Sequence, residues 1–266
     1  MIELINIKEF YKEGREQIKK RVSELPPISL GIIWIGDSAA SEKYVNNKIK
    51  DCEYVGIKTQ LFHEEDMSDD EFISLILSID NLYDYIIVQK PLPEHLEKVF
   101  NECKHLINPC KDIDAANSDM FFYACTPYGI CQYLDANQID VDGKDVTIIG
   151  RSDLVGKPLA KMLTDKNATV TLCHSHTKDI YKHTKDADIV VCAVGHRKFL
   201  NCEKVNPFAI IIDVGINFDE NGKMCGDCYN SVWTQQVTPV PGGVGLLTRL
   251  ALIDQMSNFA KKINEA

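Results

Sequence analysis

The feature that most constrains the fold of this chain is a regular alternation of short apolar segments with longer amphipathic ones. Residues 29–35 (SLGIIWI) and 85–89 (YIIVQ) are almost wholly apolar, which is typical of strands buried on both faces of a parallel sheet. Residues 40–54 and 69–79 carry charged and apolar side chains at helical spacing. Together with a helix at 5–25 and a strand at 58–62, this order predicts βαβ units and therefore an α/β fold with a parallel sheet.

A second alternating block follows a predicted helix at 126–136. Its predicted strands are residues 145–149, 168–173, 189–194 and 210–214, and its predicted helices are residues 155–163 and 180–185. A last helix, residues 246–263, has no strand after it. We therefore predict an N-terminal parallel-sheet α/β domain at 1–124, on which residues 246–266 pack back, and a Rossmann-type nucleotide-binding domain at 125–245, with a cleft between the two domains.

The charge and hydropathy patterns exclude several classes of protein. The chain has 29 Lys and Arg against 39 Asp and Glu, a formal net charge of −10, without a long basic cluster, so nucleic-acid binding is not predicted. No apolar run approaches the roughly 18 residues of a membrane span. The first residues lack the basic and apolar regions of a signal peptide, so we expect a protein of the cytosol without membrane contact.

The ten cysteines are scattered along the chain, and without an export signal we expect reduced thiols. Cys225 and Cys228 form the one C-x-x-C pair. A zinc or redox site would need a second pair or a thioredoxin-like setting, so we predict no metal site.

The loop from Gly150 to Pro158 joins a predicted strand to a predicted helix. Glycines at such a turn let the backbone approach a pyrophosphate, which the start of the helix attracts. Gly150 and Gly156 stand six residues apart, so the loop is longer than G-x-G-x-x-G and its spacing alone also fits an ordinary glycine turn.

The strand that follows this loop indicates which dinucleotide is bound. An NAD-preferring domain usually has Asp or Glu after that strand to bind the ribose 2′-hydroxyl. Here His174 and Ser175 follow the strand, and the first carboxylate is Asp179. A carboxylate would repel a 2′-phosphate, whereas hydroxyl groups and the planar guanidinium of Arg151 would bind it, so we predict NADP. His176 also fits an ordinary polar loop residue.

Tyr44 and Lys48 lie four residues apart on the predicted helix 40–54, so both side chains point the same way. A lysine at the edge of an apolar face can lose proton affinity and take part in acid–base chemistry, although its stem can also pack while its head reaches water. Gln89 ends a predicted strand, at the sheet edge where ligands of open α/β sheets gather, or is an ordinary amide there. Asp112 and Asp114 point in opposite directions if the chain is extended, so one is expected to face a cleft, unless residues 111–114 form a solvated loop.

Eight segments of the chain, taken in order, match one family of enzymes. They are SEKYVNNK (41–48), VQKPLP (88–93), KDID (111–114), CTP (125–127), GRSDLVGKP (150–158), ATVTLCHS (168–175), DVGIN (213–217) and TPVPGGVG (238–245). With these segments the chain resembles the bifunctional methylenetetrahydrofolate dehydrogenase/methenyltetrahydrofolate cyclohydrolase family from about residue 30 to residue 261.

The resemblance implies two activities in one-carbon metabolism and purine biosynthesis. Hydride passes from 5,10-methylenetetrahydrofolate to NADP⁺, and water then converts the methenyl product to 10-formyltetrahydrofolate. The resemblance gives Lys48 the key role in the hydrolysis, with Gln89 bonded to it. It places Tyr44 on the folate and Asp114 on the pterin.

The resemblance also implies two sets of binding residues and a homodimer formed through the cofactor domain. Folate-binding residues at the cleft, besides Tyr44, Gln89 and Asp114, are Pro241, Gly242 and Gly243. Arg151 and Ser175 hold the 2′-phosphate. The full cofactor set is Gly150, Arg151, Ser152, Val155, Gly156, Pro158, His174, Ser175 and Ile216.

Three departures from the family pattern concern the folate site. The family usually has Leu where Lys90 stands, Gly where Ala115 stands, and Pro-Met in place of Leu246 and Leu247. We expect Lys90 to add a charge beside Gln89, and thereby to lower the pKa of Lys48 or alter folate binding. Ala115 would be strained if its backbone needs a positive φ.

Three other functions stay open at this point. They are a dehydrogenase without cyclohydrolase activity, a reductase like shikimate dehydrogenase, and a module that binds the nucleotide without turnover. Retention of Tyr44, Lys48, Gln89 and Asp114 favours the bifunctional enzyme, and Lys90 leaves the first alternative open.

Overall fold

The computed structural model of the chain describes residues 6–117 and 120–265, which fall into two compact units. The N-terminal unit comprises Lys12–Cys125 and Arg249–Ala266, and the central unit comprises Met1–Tyr11 and Thr126–Thr248. None of the described helices is long and apolar enough to cross a membrane.

The described residues form strands and helices in alternation. The strands are β1 (Ser29–Ile35), β2 (Lys58–Glu64), β3 (Tyr85–Val88), β4 (Asp145–Ile149), β5 (Thr169–Cys173), β6 (Ile189–Cys192), β7 (Leu200–Asn201), β8 (Ile210–Asp213), β9 (Asn217–Phe218), β10 (Met224–Cys225), β11 (Cys228–Tyr229) and β12 (Gln236–Val237). The α-helices are α1 (Ile7–Ser23), α2 (Ala39–Val55), α3 (Asp69–Leu82), α4 (Glu94–Cys103), α5 (Cys125–Ala136), α6 (Gly156–Asp165), α7 (Tyr181–Thr184) and α8 (Val244–Asn264). Single 3₁₀ turns lie at Lys104–Leu106 and Cys202–Lys204.

A parallel three-stranded sheet of order β2-β1-β3 forms the centre of the N-terminal unit. The apolar sequence of β1 is explained by its central position, since all residues after Ser29 are buried. The backbone N–H of Gln89 donates to the carbonyl of Ile33 at 2.8 Å. This bond continues the pairing one residue past β3 and fixes Gln89 at the carboxyl edge of the sheet.

Helix α2 has clear boundaries in the sequence. Ser38 caps its start by accepting the N–H of Ser41, and Gly56 ends it in the left-handed conformation with φ 95°. No helix is predicted from the sequence between residues 89 and 111, and the structure adds helix α4 there, directly after Pro93. Proline nevertheless suits the residue before a helix, and the buried side chains of α4 follow it at helical spacing.

The central unit is built on a parallel five-stranded sheet of order β12-β8-β6-β4-β5. Its α/β architecture and that of the N-terminal unit confirm the predicted fold class. Strands β6 and β8 end at Cys192 and Asp213, earlier than predicted, because the chain turns there to form loops at the carboxyl edge. The two-residue strands β7 and β9 to β12 escaped prediction because two residues show no periodicity.

Candidate functional site

Lys48 is the centre of a buried polar cluster in the N-terminal unit. Lys48 is only 4% exposed. The alternative prediction, in which its ammonium group reaches water, is therefore wrong. The ammonium Nζ donates to Gln89 Oε1 at 2.9 Å. Helix α2 therefore supplies the lysine, and the end of the β3 segment supplies its partner.

The amide of Gln89 is held in one orientation. Its Nε2 donates to the carbonyl of Lys90 at 2.5 Å, which leaves Oε1 to face Lys48. Gln89 is 7% exposed, so this is a buried contact and not an ordinary amide at a strand end. The glutamine thus presents an acceptor to the lysine.

Burial lowers the pKa of Lys48 below its ordinary value. The negative charge of Asp114 opposes this shift most strongly. The ring centroid of Tyr44 lies 5.0 Å from Lys48 Nζ. The arrangement therefore favours a lysine that loses its proton more easily than an exposed lysine.

Asp112 and Asp114 lie in different surroundings, and residues 111–114 are not a solvated loop. Asp112 is buried and accepts the backbone N–H groups of Ala116 and Asn117 at 3.1 and 2.6 Å. Asp114 accepts the N–H of Cys125 at 2.9 Å and acts electrostatically on Lys48. Asp112 therefore has a structural role, and Asp114 belongs to the lysine cluster.

Ala115 adopts the left-handed conformation, with φ 51°. This conformation is strained for alanine, as expected for a position where the family usually has glycine. The strain lies in the turn that carries Asp114.

The structure does not support the expected effect of Lys90 on the pKa of Lys48, whereas an effect on folate binding stays a prediction. Its Nζ pairs with Glu97 Oε2 at 2.5 Å and lies 4.1 Å from the centroid of the Phe100 ring. Lys90 is not among the groups that shift the pKa of Lys48. The side chain is drawn away because the unpredicted helix α4 presents both an acidic and an aromatic partner.

Cys125 is a member of the lysine cluster, although no role was predicted for it. Burial raises the pKa of its thiol, and Gln255 Nε2 approaches its Sγ at 3.7 Å. The sequence contained one relevant clue, since Cys125 stands directly before the Thr-Pro pair of a matched segment.

The loop between β4 and α6 needs both of its glycines. A Cβ on Gly156 would lie 1.8 Å from the carbonyl oxygen of Gly150. A Cβ on Gly150, whose φ is 117°, would lie 2.2 Å from the carbonyl oxygen of Ala193. Only glycines permit these approaches of backbone to backbone, so the loop is more specific than its spacing indicated.

The start of α6 is suited to an anion. No side chain caps the helix at Val155, whose own N–H donates to Ser152 Oγ at 3.2 Å, and Pro158 has no N–H to satisfy. The N–H of Lys157 donates to the carbonyl of Ser152 at 3.1 Å, and the dipole of the helix attracts negative charge to this end. Together with the two glycines, this geometry fits the pyrophosphate of a dinucleotide.

The residues predicted to select NADP lie at the carboxyl ends of β4 and β5, and Arg151 and Ser175 are exposed. His174 is tied locally, since its N–H donates to Thr177 Oγ1 and its Nδ1 accepts the N–H of His176. Ile216 is 48% exposed, an apolar side chain open to a ligand.

Residues 241–243 form a tight turn at the start of α8 in the central unit. The Val240–Pro241 peptide bond is cis, and Gly242 has φ 93°. A Cβ on Gly243 would lie 2.1 Å from the carbonyl oxygen of Pro239, so the turn requires glycine there.

The predicted site residues thus fall into two groups. Tyr44, Lys48, Gln89 and Asp114 come together in the N-terminal unit, and the other predicted residues belong to the central unit. Among the described residues, no group of His, Cys, Asp and Glu side chains could hold a metal ion.

Comparisons with known proteins cover almost the whole chain. The family profile described as "Tetrahydrofolate dehydrogenase/cyclohydrolase, catalytic domain" matches residues 5–114, and that of the "NAD(P)-binding domain" matches residues 124–264. The chain is 38% identical to the bifunctional protein FolD of Agathobacter rectalis, covering 98% of this chain and 100% of the relative. It is 39% identical to FolD of Bacillus subtilis, covering 97% and 98%.

Two solved structures are similar over the same length. The bifunctional FolD dehydrogenase/cyclohydrolase of Campylobacter jejuni is 35% identical with a TM-score of 0.89, covering 99% of this chain and 100% of that chain. FolD of Trypanosoma brucei, complexed with NADP cofactor and inhibitor, is 26% identical with a TM-score of 0.89, covering 99% of both chains.

Proposed function

Because the chain belongs to the tetrahydrofolate dehydrogenase/cyclohydrolase family, we propose that it oxidises 5,10-methylenetetrahydrofolate with NADP⁺ and hydrolyses the methenyl product to 10-formyltetrahydrofolate. The family assignment confirms the prediction of a bifunctional enzyme over a dehydrogenase-only member and over a reductase like shikimate dehydrogenase. The observation that carries the proposal for this chain is the buried Lys48–Gln89 pair beside Asp114.

In the proposed hydrolysis, Lys48 moves the proton. A water molecule attacks the methenyl carbon while the amine of Lys48 accepts one of its protons, which gives a carbinolamine. The bond from that carbon to N5 then breaks with its electron pair moving to N5, the carbon–oxygen double bond of the formyl group forms, and the hydroxyl proton is taken up by N5. The lowered pKa of Lys48 makes the neutral amine available, and the bond to Gln89 Oε1 orients it. Tyr44 is proposed to pack on the folate, and Asp114 to bind the pterin.

In the proposed oxidation, the protein binds and orients the two reactants. When bound, NADP⁺ supplies the acceptor for the hydride. Residues 150–158 would hold its pyrophosphate, because Gly150 and Gly156 allow the close backbone packing of this loop and the start of α6 has no side-chain cap. The substrate nitrogen already drives the hydride out, so the enzyme mainly has to hold the reacting atoms close together.

The preference for NADP over NAD rests on Arg151 and Ser175. Both side chains are exposed at the carboxyl ends of neighbouring strands, where a 2′-phosphate would lie, and no carboxylate stands next to them in β5 or at its end. Ile216 is proposed to contact the cofactor, and Pro241, Gly242 and Gly243 are proposed to contact folate.

We also propose that the chain is a homodimer that works in the cytosol and supplies one-carbon units for purine biosynthesis. The edge strand β12 lies near two strongly exposed aromatic residues, Phe208 and Trp233, and such a surface suits association. Light scattering coupled to gel filtration tests the dimer, and a mass of one chain at micromolar concentration would contradict it.

The proposed reactions are tested by two spectroscopic assays on one protein preparation. The first follows oxidation of 5,10-methylenetetrahydrofolate with NADP⁺ and NAD⁺ in parallel. The second follows hydrolysis of the methenyl compound without nucleotide. We expect turnover in both assays and faster oxidation with NADP⁺. Hydrolysis no faster than the uncatalysed background would contradict the cyclohydrolase proposal, and a strong NAD⁺ preference would contradict the roles of Arg151 and Ser175.

A further inference from the structure

The carboxylate of Asp227 binds four donors in the interior of the central unit. Asp227 is fully buried. Its Oδ2 accepts the N–H groups of Val194 and Gly195 at 2.8 and 3.0 Å. Its Oδ1 accepts the N–H of His196 and the side-chain amide of Asn217, both at 2.8 Å. The three backbone donors are consecutive, so the carboxylate occupies the kind of backbone concavity that binds anions.

These contacts join two loops at the carboxyl edge of the five-stranded sheet. Residues 194–196 follow β6, and residues 215–217 follow β8. A second carboxylate, Asp213 at the end of β8, accepts the N–H groups of Asp227 and Gly215 at 2.9 and 3.1 Å. Burial raises the pKa of Asp213, although these backbone bonds counteract the shift. A Cβ on Gly215 would lie 2.1 Å from Asp227 Oδ1, so the packing around the carboxylate is tight.

The loop after β6 also adjoins the proposed pyrophosphate loop. The carbonyl of Ala193 is the atom that a Cβ on Gly150 would meet at 2.2 Å. The loops after β4, β6 and β8 are therefore neighbours, in the order that the sheet dictates.

The strand order indicates that the loops after β6 and β8 lie at the nicotinamide end of a bound dinucleotide. In the proposed binding mode, the 2′-phosphate lies at the end of β5 and the pyrophosphate at the end of β4. A dinucleotide lies across the carboxyl edge of a Rossmann-type sheet. Because β6 and β8 continue the sheet on the other side of β4, the nicotinamide end falls on residues 194–196 and 215–217.

We infer that Asp227 is a positioning residue for the nicotinamide end of NADP. It does not touch the reacting atoms, and it acts by fixing the two loops against which the ring is held. Hydride transfer is sensitive to small displacements of its reactants, so the loops have to be held in one arrangement. A carboxylate is the side-chain group that accepts from four donors without presenting one of its own. The inference rests on the proposed dehydrogenase activity.

The test is the variant Asp227→Asn, which keeps the size of the side chain. One carboxylate oxygen becomes an NH₂ group, which cannot accept a hydrogen bond. The two N–H donors that bonded to that oxygen then lose their acceptor. We expect kcat/KM for NADP⁺-dependent oxidation to fall roughly 10- to 100-fold, the size expected when bonds to a buried charged group are lost. The exposed Asp186 in the same unit provides the matched control, and Asp186→Asn should retain wild-type kinetics.

Two further measurements separate positioning from general damage. The affinity for 2′,5′-ADP, measured by calorimetry, reports the end of the cofactor remote from the nicotinamide and should stay at the wild-type value. Hydrolysis of the methenyl compound without nucleotide should also be unchanged. If Asp227→Asn does not fold, Asn217→Ala removes one donor and leaves the carboxylate, and it should give the same pattern with a smaller loss.

The inference is wrong if the variant keeps wild-type kcat/KM, or if NADP⁺ and 2′,5′-ADP lose affinity by the same factor. Failure of the proposed function looks different, because the wild-type protein itself would then fail to oxidise the folate. In that case the comparison of NADP⁺ with 2′,5′-ADP binding still decides the role of Asp227.

Discussion

At the scale of single residues, Lys48 shows how a catalytic requirement opposes stability. Burial in the N-terminal unit lowers its pKa, and the charge of Asp114 compensates only in part. The unfolded chain then binds a proton at this lysine more tightly than the folded chain does. Stability therefore rises with pH between the folded pKa and the ordinary lysine value of 10.5, and the full destabilisation is present below the folded pKa.

The substitution Lys48→Met tests this opposition. We expect hydrolysis to fall to the uncatalysed background, because the proposed proton acceptor is gone. Thermal unfolding at neutral pH should show an increase in Tm, because a buried charge no longer has to be accommodated.

In the wild-type protein, the hydrolysis rate should rise with pH to a plateau, with a midpoint below 10.5. A rate that is independent of pH across that range would contradict the role of Lys48 as a base.

Lys90 gives a second prediction at this scale. Because its ammonium pairs with Glu97 over the Phe100 ring, Lys90→Leu should leave the pH profile of hydrolysis unchanged. The measurement is the same assay as for Lys48, so Lys48→Met serves as the positive control. A displaced midpoint in Lys90→Leu would show that the charge of Lys90 reaches the lysine cluster after all.

At the scale of secondary-structure elements, helix α2 is held by a buried ion cluster as well as by apolar packing. Asp51 is one turn beyond Lys48 and lies 3.1 Å from Arg15 and 3.3 Å from Arg249. These contacts join α2 to residues of α1 and α8 within the N-terminal unit.

We predict that Asp51→Asn destabilises the protein by about 3–5 kcal/mol, because two guanidinium groups lose their shared counter-charge in a buried setting. Urea unfolding measures the change, and Glu53→Gln on the exposed face of α2 is the matched control. Equal stability of the two variants would show that the cluster contributes nothing beyond packing.

The turn from β4 into α6 yields another prediction about an element. In Gly156→Ala the new methyl group would meet the carbonyl of Gly150 at 1.8 Å, so the loop has to move. We expect the affinity for NADP⁺ to fall at least tenfold, which is the effect of about 1.4 kcal/mol. Hydrolysis without nucleotide should persist, since Lys48 and its partners lie in the other unit. Unchanged NADP⁺ affinity would exclude residues 150–158 as the pyrophosphate loop.

At the scale of the whole molecule, the residues proposed to bind NADP⁺ lie in the central unit, whereas the Lys48 cluster lies in the N-terminal unit. NADP⁺ at 100 times its Kd should stabilise the folded protein by about 2.7 kcal/mol through mass action. Arg151→Ala should reduce the stabilisation at the same NADP⁺ concentration while leaving methenyl hydrolysis intact. Differential scanning calorimetry with and without NADP⁺ measures the first effect, and equal loss of both activities would contradict the proposed role of Arg151.

Structural features that depend on residues close together in the sequence were predicted, whereas features that depend on distant residues were not. The apolar pattern of β1 and the caps of α2 are local, and they gave the elements that carry Lys48 and Gln89. The contacts of the Lys90 side chain were missed because they depend on Glu97 and Phe100, which lie on helix α4, an element that was not predicted. Asp227 was missed because its four donors come from two loops, one of them more than thirty residues away along the chain.

The division of the chain also has a consequence for its synthesis on the ribosome. The N-terminal unit draws on Arg249–Ala266, so its partners for Asp51, Arg21 and Tyr85 are made only after the whole central unit. A nascent chain that has been translated as far as Cys125 therefore cannot yet complete the N-terminal unit. Once translation has reached Thr248, every described residue of the central unit has been made. The central unit is thus the first whose described residues are all available, and the contacts that Arg249 and the residues after it make with the N-terminal unit form later.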